Sequence, residues 1–186
     1  MMPKMIKFKT RNRIFNDFIT VSASALEAFD IKGWDVRQLM QGFKLNPLKP
    51  SVFVSLLSTN QQGRSYCKKM IQDGQFVRTN FIKQEVNIRF SATRRELESD
   101  ILGTYNGADI VKVIKNYIQS YEGINQLSAL GYAQYRSGEI TDQNILNDDE
   151  NFQFLPYFDC TFLYTDSFTT NVNRISDIKE KGIYKV

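Results

Sequence analysis

Apolar residues at positions 14, 18, 21, 25 and 29 recur at spacings of three and four, which lays Ile14, Phe18, Val21, Ala25 and Phe29 along one face of a helix opening after Thr10. Gly33 is read as the end of that helix. The stretch from Trp34 to Pro50 has no clear period, and Asn46-Pro47 and Lys49-Pro50 mark a loop. From Ser51 to Ser58 the pattern changes. Val52, Phe53, Val54, Leu56 and Leu57 put apolar groups on both sides of a strand, as a central, covered strand requires. Thr59 to Gln75 is polar, with Gly63 and Gly74 as turn residues. Strand character resumes from Phe76 to Ala92. There Val86, Ile88, Phe90 and Ala92 alternate with Glu85, Asn87, Arg89 and Ser91, one face buried and one wet. The two strands predict an antiparallel hairpin with a long projecting loop.

Asn106 is a good N-cap for a second helix, and Asp109 three residues on gives a variant of the capping box. Ile110, Val113, Ile114, Tyr117, Ile118 and Tyr121 form its apolar stripe, opposite Lys112, Lys115, Asn116 and Gln119. A turn through Gly123 leads to Ile124 and Leu127, and Leu130 to Ile140 reads as a strand. A polar, acidic loop through Asp148, Asp149 and Glu150 follows. In the last element, Phe152 to Asp166, period two collects Phe152, Phe154, Phe158, Cys160, Phe162 and Tyr164 on one face. Pro156 inside it favours an edge position or a bulge. The order helix, hairpin, helix, two strands predicts an α+β fold: a mixed, mainly antiparallel sheet with a long hairpin, packed against two main helices.

At 186 residues with 42% hydrophobic content, the chain is long enough for one domain, residues 1–186, to build a core without disulfides or metals. Two cysteines, Cys67 and Cys160, have no metal or redox spacing, and both read as free thiols of a reducing compartment. Residues 1–13 lack the apolar core of a signal peptide, and no apolar run is long enough to span a bilayer, so no membrane partner is expected. The net charge of +4 is unevenly spread. Lys4, Lys7, Lys9, Arg11 and Arg13 make the N-terminal arm basic with no acid among them, leaving a net −1 over the rest. The arm reads as a solvated terminus or as a contact to phosphate or an acidic protein surface.

There is no histidine. Triads built on Ser-His or Cys-His and every His-ligated metal site are thereby excluded. Neither phosphate-binding glycine motif occurs. Asp142, Asp148, Asp149 and Glu150 are the one acidic group with a cation's chemistry, but without EF-hand spacing. They read as a solvated loop, and no catalytic residue, cofactor or metal is assigned. In the hairpin loop, Arg64, Lys68 and Lys69 surround Tyr66, with Met70 beside them. This basic and aromatic group is the candidate assembly contact; contact with a nucleic-acid backbone, joined by the arm, is the alternative.

Several stretches resemble the neck or tail-terminator ("gateway") proteins of tailed bacteriophages. They are residues 108–111 (Ala-Asp-Ile-Val), 118–120 (Ile-Gln-Ser), Leu127 to Gly131, and above all Asp148-Asp149-Glu150-Asn151-Phe152-Gln153-Phe154-Leu155-Pro156-Tyr157-Phe158-Asp159. Gln41-Gly42, Pro50 to Leu57 and Gln84 to Phe90 add to the likeness, which runs through residues 38–170. The basic arm 1–13 and the C-terminal extension 175–186 lie outside it. The resemblance implies a non-enzymatic virion protein of the neck, synthesised in the host bacterial cytoplasm. Such a protein forms a homo-oligomeric ring, a hexamer in the usual case, that caps the tail tube and joins it to the DNA-filled head. Its implied partners are itself, a head-completion or neck protein and a tail tube or sheath protein, with genomic DNA passing through the lumen without sequence-specific binding.

Overall fold

The computed structural model describes residues 6–39, 50–72, 75–93, 105–146 and 152–171. In chain order the elements are β1 (Ile6–Lys7), α1 (Arg11–Ala28), β2 (Asp35–Gln38), β3 (Ser51–Gln61), β4 (Tyr66–Gln72), β5 (Gln75–Ala92), α2 (Gly107–Gln119), α3 (Tyr121–Ala129), β6 (Ala133–Ser137), β7 (Thr141–Leu146) and β8 (Phe152–Asn171). They divide into two compact units. The larger takes the described parts of Thr10–Asn60 and Glu85–Tyr164. The smaller takes the described parts of Met1–Lys9, Gln61–Gln84 and Thr165–Val186.

In the larger unit all three helices of the described residues find explicit N-terminal caps. The Thr10 hydroxyl accepts from the N–H of Arg13, at 3.2 Å. Asn106 and Asp109 complete a reciprocal capping box on α2, and the Ser120 hydroxyl accepts from Gly123 N–H at the start of α3. The end of α1 differs from the expectation at Gly33. Asp30, not a glycine, adopts the left-handed conformation (φ 51), and the N–H groups of Asp30 and Ile31 donate to Glu27 and Leu26 carbonyls. That is a Schellman ending, closed by the burial of Ile31 and Leu26. Gly123 also departs from the turn assigned to it: it lies inside α3, where a Cβ would stand 1.9 Å from the Tyr117 carbonyl oxygen. Only glycine lets α3 start that close to the end of α2.

The sheet of this unit runs β8-β5-β3-β2, with β6 and β7 also on β8. β2 and β3 pair in parallel, from Asp35↔Ser51 to Gln38↔Val54. The apolar stripe of β5 meets that of β8. Val86, Ile88, Phe90 and Ala92 join Phe158, Cys160, Phe162 and Tyr164 in one core with the inner faces of α1 and α2. Aromatic rings lock its centre: Phe18 lies 4.5 Å from Phe162 and 4.9 Å from Tyr132, and Phe90 stacks on Phe158 at 5.0 Å. The buried Tyr132 hydroxyl donates to Asp17 Oδ2 at 3.0 Å. Burial, reinforced by that carboxylate, raises its pKa well above the ordinary phenol value.

The α+β class and the alternation in β5 follow the sequence expectation. Three segments do not. The polar run from Thr59 to Gln75 is largely strand: β3 extends to Gln61, and β4 pairs with β5 from Tyr66↔Phe81 to Gln72↔Gln75. The strand assigned to residues 130–140 shortens to β6, and β7 takes the start of the expected acidic loop. Pro156 causes no bulge against β7, whose register passes unbroken through Asp142↔Pro156; the irregularity falls at Gln134/Arg136 in β6. Residues 148–150 lie outside the described residues.

Candidate assembly surface

The smaller unit is built on a two-stranded ribbon, β4 against the first half of β5, flanked on β5 by the end of β8, to which β1 adds. Gly63 makes the turn into β4 at φ +68, a conformation other side chains resist, and the Gln62 N–H donates to the Lys83 carbonyl. Arg64 follows in this turn and is exposed. Because directly opposed residues of an antiparallel pair share a face, the register sorts every side chain. Tyr66, Lys68 and Met70 lie on one face with Phe81, Thr79 and Val77. Cys67, Lys69 and Ile71 lie on the other with Asn80, Arg78 and Phe76.

The five candidate residues are therefore not one cluster. Tyr66 stacks on Phe81, with ring centres 4.9 Å apart, and Met70 sits opposite the buried Val77. Both have partners on their own ribbon. The second face carries other groups. Lys69 stands directly opposite Arg78, a like-charge pair that weakens a ribbon, and the next pair toward the tip is Ile71 with Phe76. Ile71 is 65% exposed and Phe76 45%. Of the expected residues, only Lys69 belongs to this apolar and cationic face; Ile71, Phe76 and Arg78 were missed. A usable clue was present, since Asp73-Gly74 between two strand-like runs is a strong hairpin dipeptide and fixes Ile71 opposite Phe76.

Charge is divided between the units. Counted along the sequence, the segments of the smaller unit hold 12 Lys and Arg against 4 Asp and Glu, and those of the larger unit 12 against 16. The basic N-terminal arm is thus only part of the positive region. Its Lys7 and Lys9 fall in one unit with Arg64, Lys68, Lys69, Arg78 and Lys83, while Arg11 and Arg13 open α1. An open groove of about 410 Å³ in the smaller unit is bounded by Phe8, Ile82 and residues 166–170. Asp166 at its edge accepts from the Lys9 backbone N–H at 3.0 Å.

The polar face of the larger unit's sheet is closed on itself. Arg89 makes a two-point contact to Asp159 (2.8 and 3.0 Å) and lies 4.0 Å over the Tyr157 ring. The hydrogen bond to Asp159 raises its pKa further. Asn87 bridges Ser58 and Thr161. Among the described residues no three His, Cys, Asp or Glu side chains converge as a metal site would need. No described helix is long and apolar enough to cross a membrane.

Two comparisons bear on this arrangement. The family model described as E217 gateway protein gp29 matches residues 19–174. A search of the curated proteins returned no match.

Proposed function

The chain belongs to the family of E217 gateway protein gp29, and from that premise we propose that it is a structural protein of a phage neck. The match over residues 19–174 carries this reading. It takes in all three helices apart from the first turns of α1, and most of the strands. In this role the chain is a ring subunit, six copies in the expected case, that caps the tail tube and joins it to the DNA-filled head. It is made in the host cytoplasm and ends in the virion neck. It works without catalysis or cofactor, through self-contacts and contacts to a head-completion protein and a tail tube or sheath protein. The hairpin residues Arg64, Tyr66, Lys68, Lys69 and Met70 are the proposed assembly contacts, extended by Ile71, Phe76 and Arg78.

The test is light scattering and electron microscopy of the purified protein, alone and mixed with its tail tube protein. Closed rings of one size are expected. A tight two-fold dimer at every concentration would overturn the ring, because an isologous contact closes at two copies.

A second reading rests on the excess of cations in the smaller unit. If that unit binds nucleic-acid backbone, affinity must fall steeply with salt, with a slope that counts the phosphates neutralised. Salt-insensitive or absent DNA retention removes this reading.

A further inference from the structure

We infer that the apolar groove of the smaller unit holds an apolar side chain of an acidic protein segment. The inference rests on the reading of the smaller unit as an assembly surface and names the chemistry of the partner. The groove, of about 410 Å³, is bounded by Phe8, Ile82 and residues 166–170. Phe8 is 60% exposed and Phe168 38%. Strand alternation brings the apolar groups together. The Thr79 and Thr169 hydroxyls meet at 2.9 Å, which puts those two residues on one face of β5 and β8. Ile82 and Phe168 therefore lie on the other face, with Arg78 and Thr170. The Thr170 hydroxyl lies 3.5 Å from the Arg78 carbonyl oxygen, so the cation is carried beside the groove.

The charge around the groove selects its occupant. The described residues of the smaller unit carry seven Lys and Arg against one acid, Asp166. A field of that sign draws an anionic partner. The one acid stands at the groove's edge, where it accepts from the Lys9 backbone N–H at 3.0 Å. A phosphate backbone laid along the groove carries charge at every step and must meet that carboxylate. A polypeptide avoids the clash, because it sets an uncharged side chain beside Asp166 and its acids further along. Arg78 precedes Ile82 by four residues, about 13 Å of extended strand. The complementary acid of an extended partner thus sits about four residues from its apolar anchor. The groove walls shield the anchor from water, and the cation sets the direction of the segment.

The experiment is fluorescence anisotropy of the full chain with three labelled probes. One is an extended acidic peptide with a single leucine about four residues from a pair of glutamates. The second is the same peptide with alanine for leucine, and the third is a single-stranded oligonucleotide of similar charge. The leucine peptide is expected to bind about tenfold tighter than the alanine peptide. F8A alters an exposed residue outside the strands and should leave the circular dichroism spectrum unchanged. It should weaken the leucine peptide about tenfold and leave the alanine peptide as it was. R78E should weaken both peptides. Equal binding of the two peptides, or none by either, would overturn the inference; rings seen by light scattering in the same protein leave the assembly reading standing. Discrimination between the peptides without rings, alone or with the tail tube protein, supports the inference and removes the ring. An oligonucleotide that binds tighter than the leucine peptide and loses affinity in F8A would also overturn the inference, by making the groove a site for stacked bases.

Discussion

The two units use the same device, an aromatic and aliphatic strand face, to opposite ends. In the larger unit, Phe90, Phe158 and Phe162 of β5 and β8 are fully buried beneath α1 and α2. In the smaller unit, β4 and the first half of β5 carry Tyr66, Met70, Ile71 and Phe76 with substantial exposure. Both are ladders of paired strands. The difference is that helices cover the first ladder, while on one face of the ribbon Ile71 and Phe76 stay partly exposed beside a cation pair. Burial of apolar area stabilises at about 25 cal/mol per Å², so exposed pairs add little to the monomer. Their value lies in what can cover them.

The sharpest way to break this comparison is to truncate one aromatic in each unit. F162A removes a ring in contact with Phe18 and Tyr132 and should destabilise by about 3–5 kcal/mol in urea melts. F76A should cost about 0.5 kcal/mol or less while weakening assembly. Equal losses from the two would mean that the ribbon belongs to the folding core and not to an interface.

Glycines sharpen the contrast. G123A forces a Cβ into the Tyr117 carbonyl at the α2–α3 junction, and the backbone must move, at about 3 kcal/mol. G63A meets no neighbour within 4 Å but must hold φ +68, at about 1 kcal/mol. Thermal melts that reversed this order would contradict the close helix approach.

The cysteines compare the units through their chemistry. Cys67 is exposed and should label within minutes. Cys160 donates to the Arg136 carbonyl at 3.1 Å, and burial pushes its pKa up to about 12. In the unfolded chain a thiol ionises near pH ~8.5. The folded state holds the proton more tightly, so this contribution to stability is complete below that pH and is lost as pH rises toward about 12. Tyr132, also raised, acts in the same direction. Denaturant midpoints should therefore fall steadily above pH ~9, and less so in C160A. A wild-type midpoint flat to pH 11, with Cys160 labelling as fast as Cys67, would refute the burial of that strand face.

How much was legible follows the same division. Where a face is buried, pattern and structure agree: the alternation from Val86 to Ala92 is written in residue order because the core enforces one register. The Thr10 cap and the Asn106–Asp109 box, both exposed, are legible because they are local hydrogen bonds between residues three apart. Where burial is partial, the pattern fades. The four residues of β2 are all half-buried, and β4 presents cations and exposed groups on both faces, so neither shows a period that a core would impose. Gly123 and the end of α1 were misread for another reason: the turn assigned to Gly123 is a close helix approach set by a three-dimensional neighbour, and the stop expected at Gly33 falls at a left-handed aspartate, Asp30. The assembly residues fell in the illegible part. Reading them as loop hid the register that separates Lys69 from Tyr66.

The smallest expected effect is the most discriminating, because its sign separates folding from assembly. Lys69 and Arg78 are opposed in an antiparallel register and exposed. Reversing one of them, as K69E, turns a like-charge pair into an opposite-charge pair. Cross-strand pairs of this kind contribute about 0.2–1 kcal/mol. The variant should therefore be slightly more stable than wild type, by a small upward shift of the urea midpoint at low salt that salt erases. The same change removes a cation from the proposed assembly contacts and should weaken ring formation read by light scattering. A residue kept for folding shows loss of stability when reversed; a residue kept for a partner shows the opposite. If K69E lowers the midpoint, the cation pair stabilises the ribbon at home and the division between the two units drawn here fails.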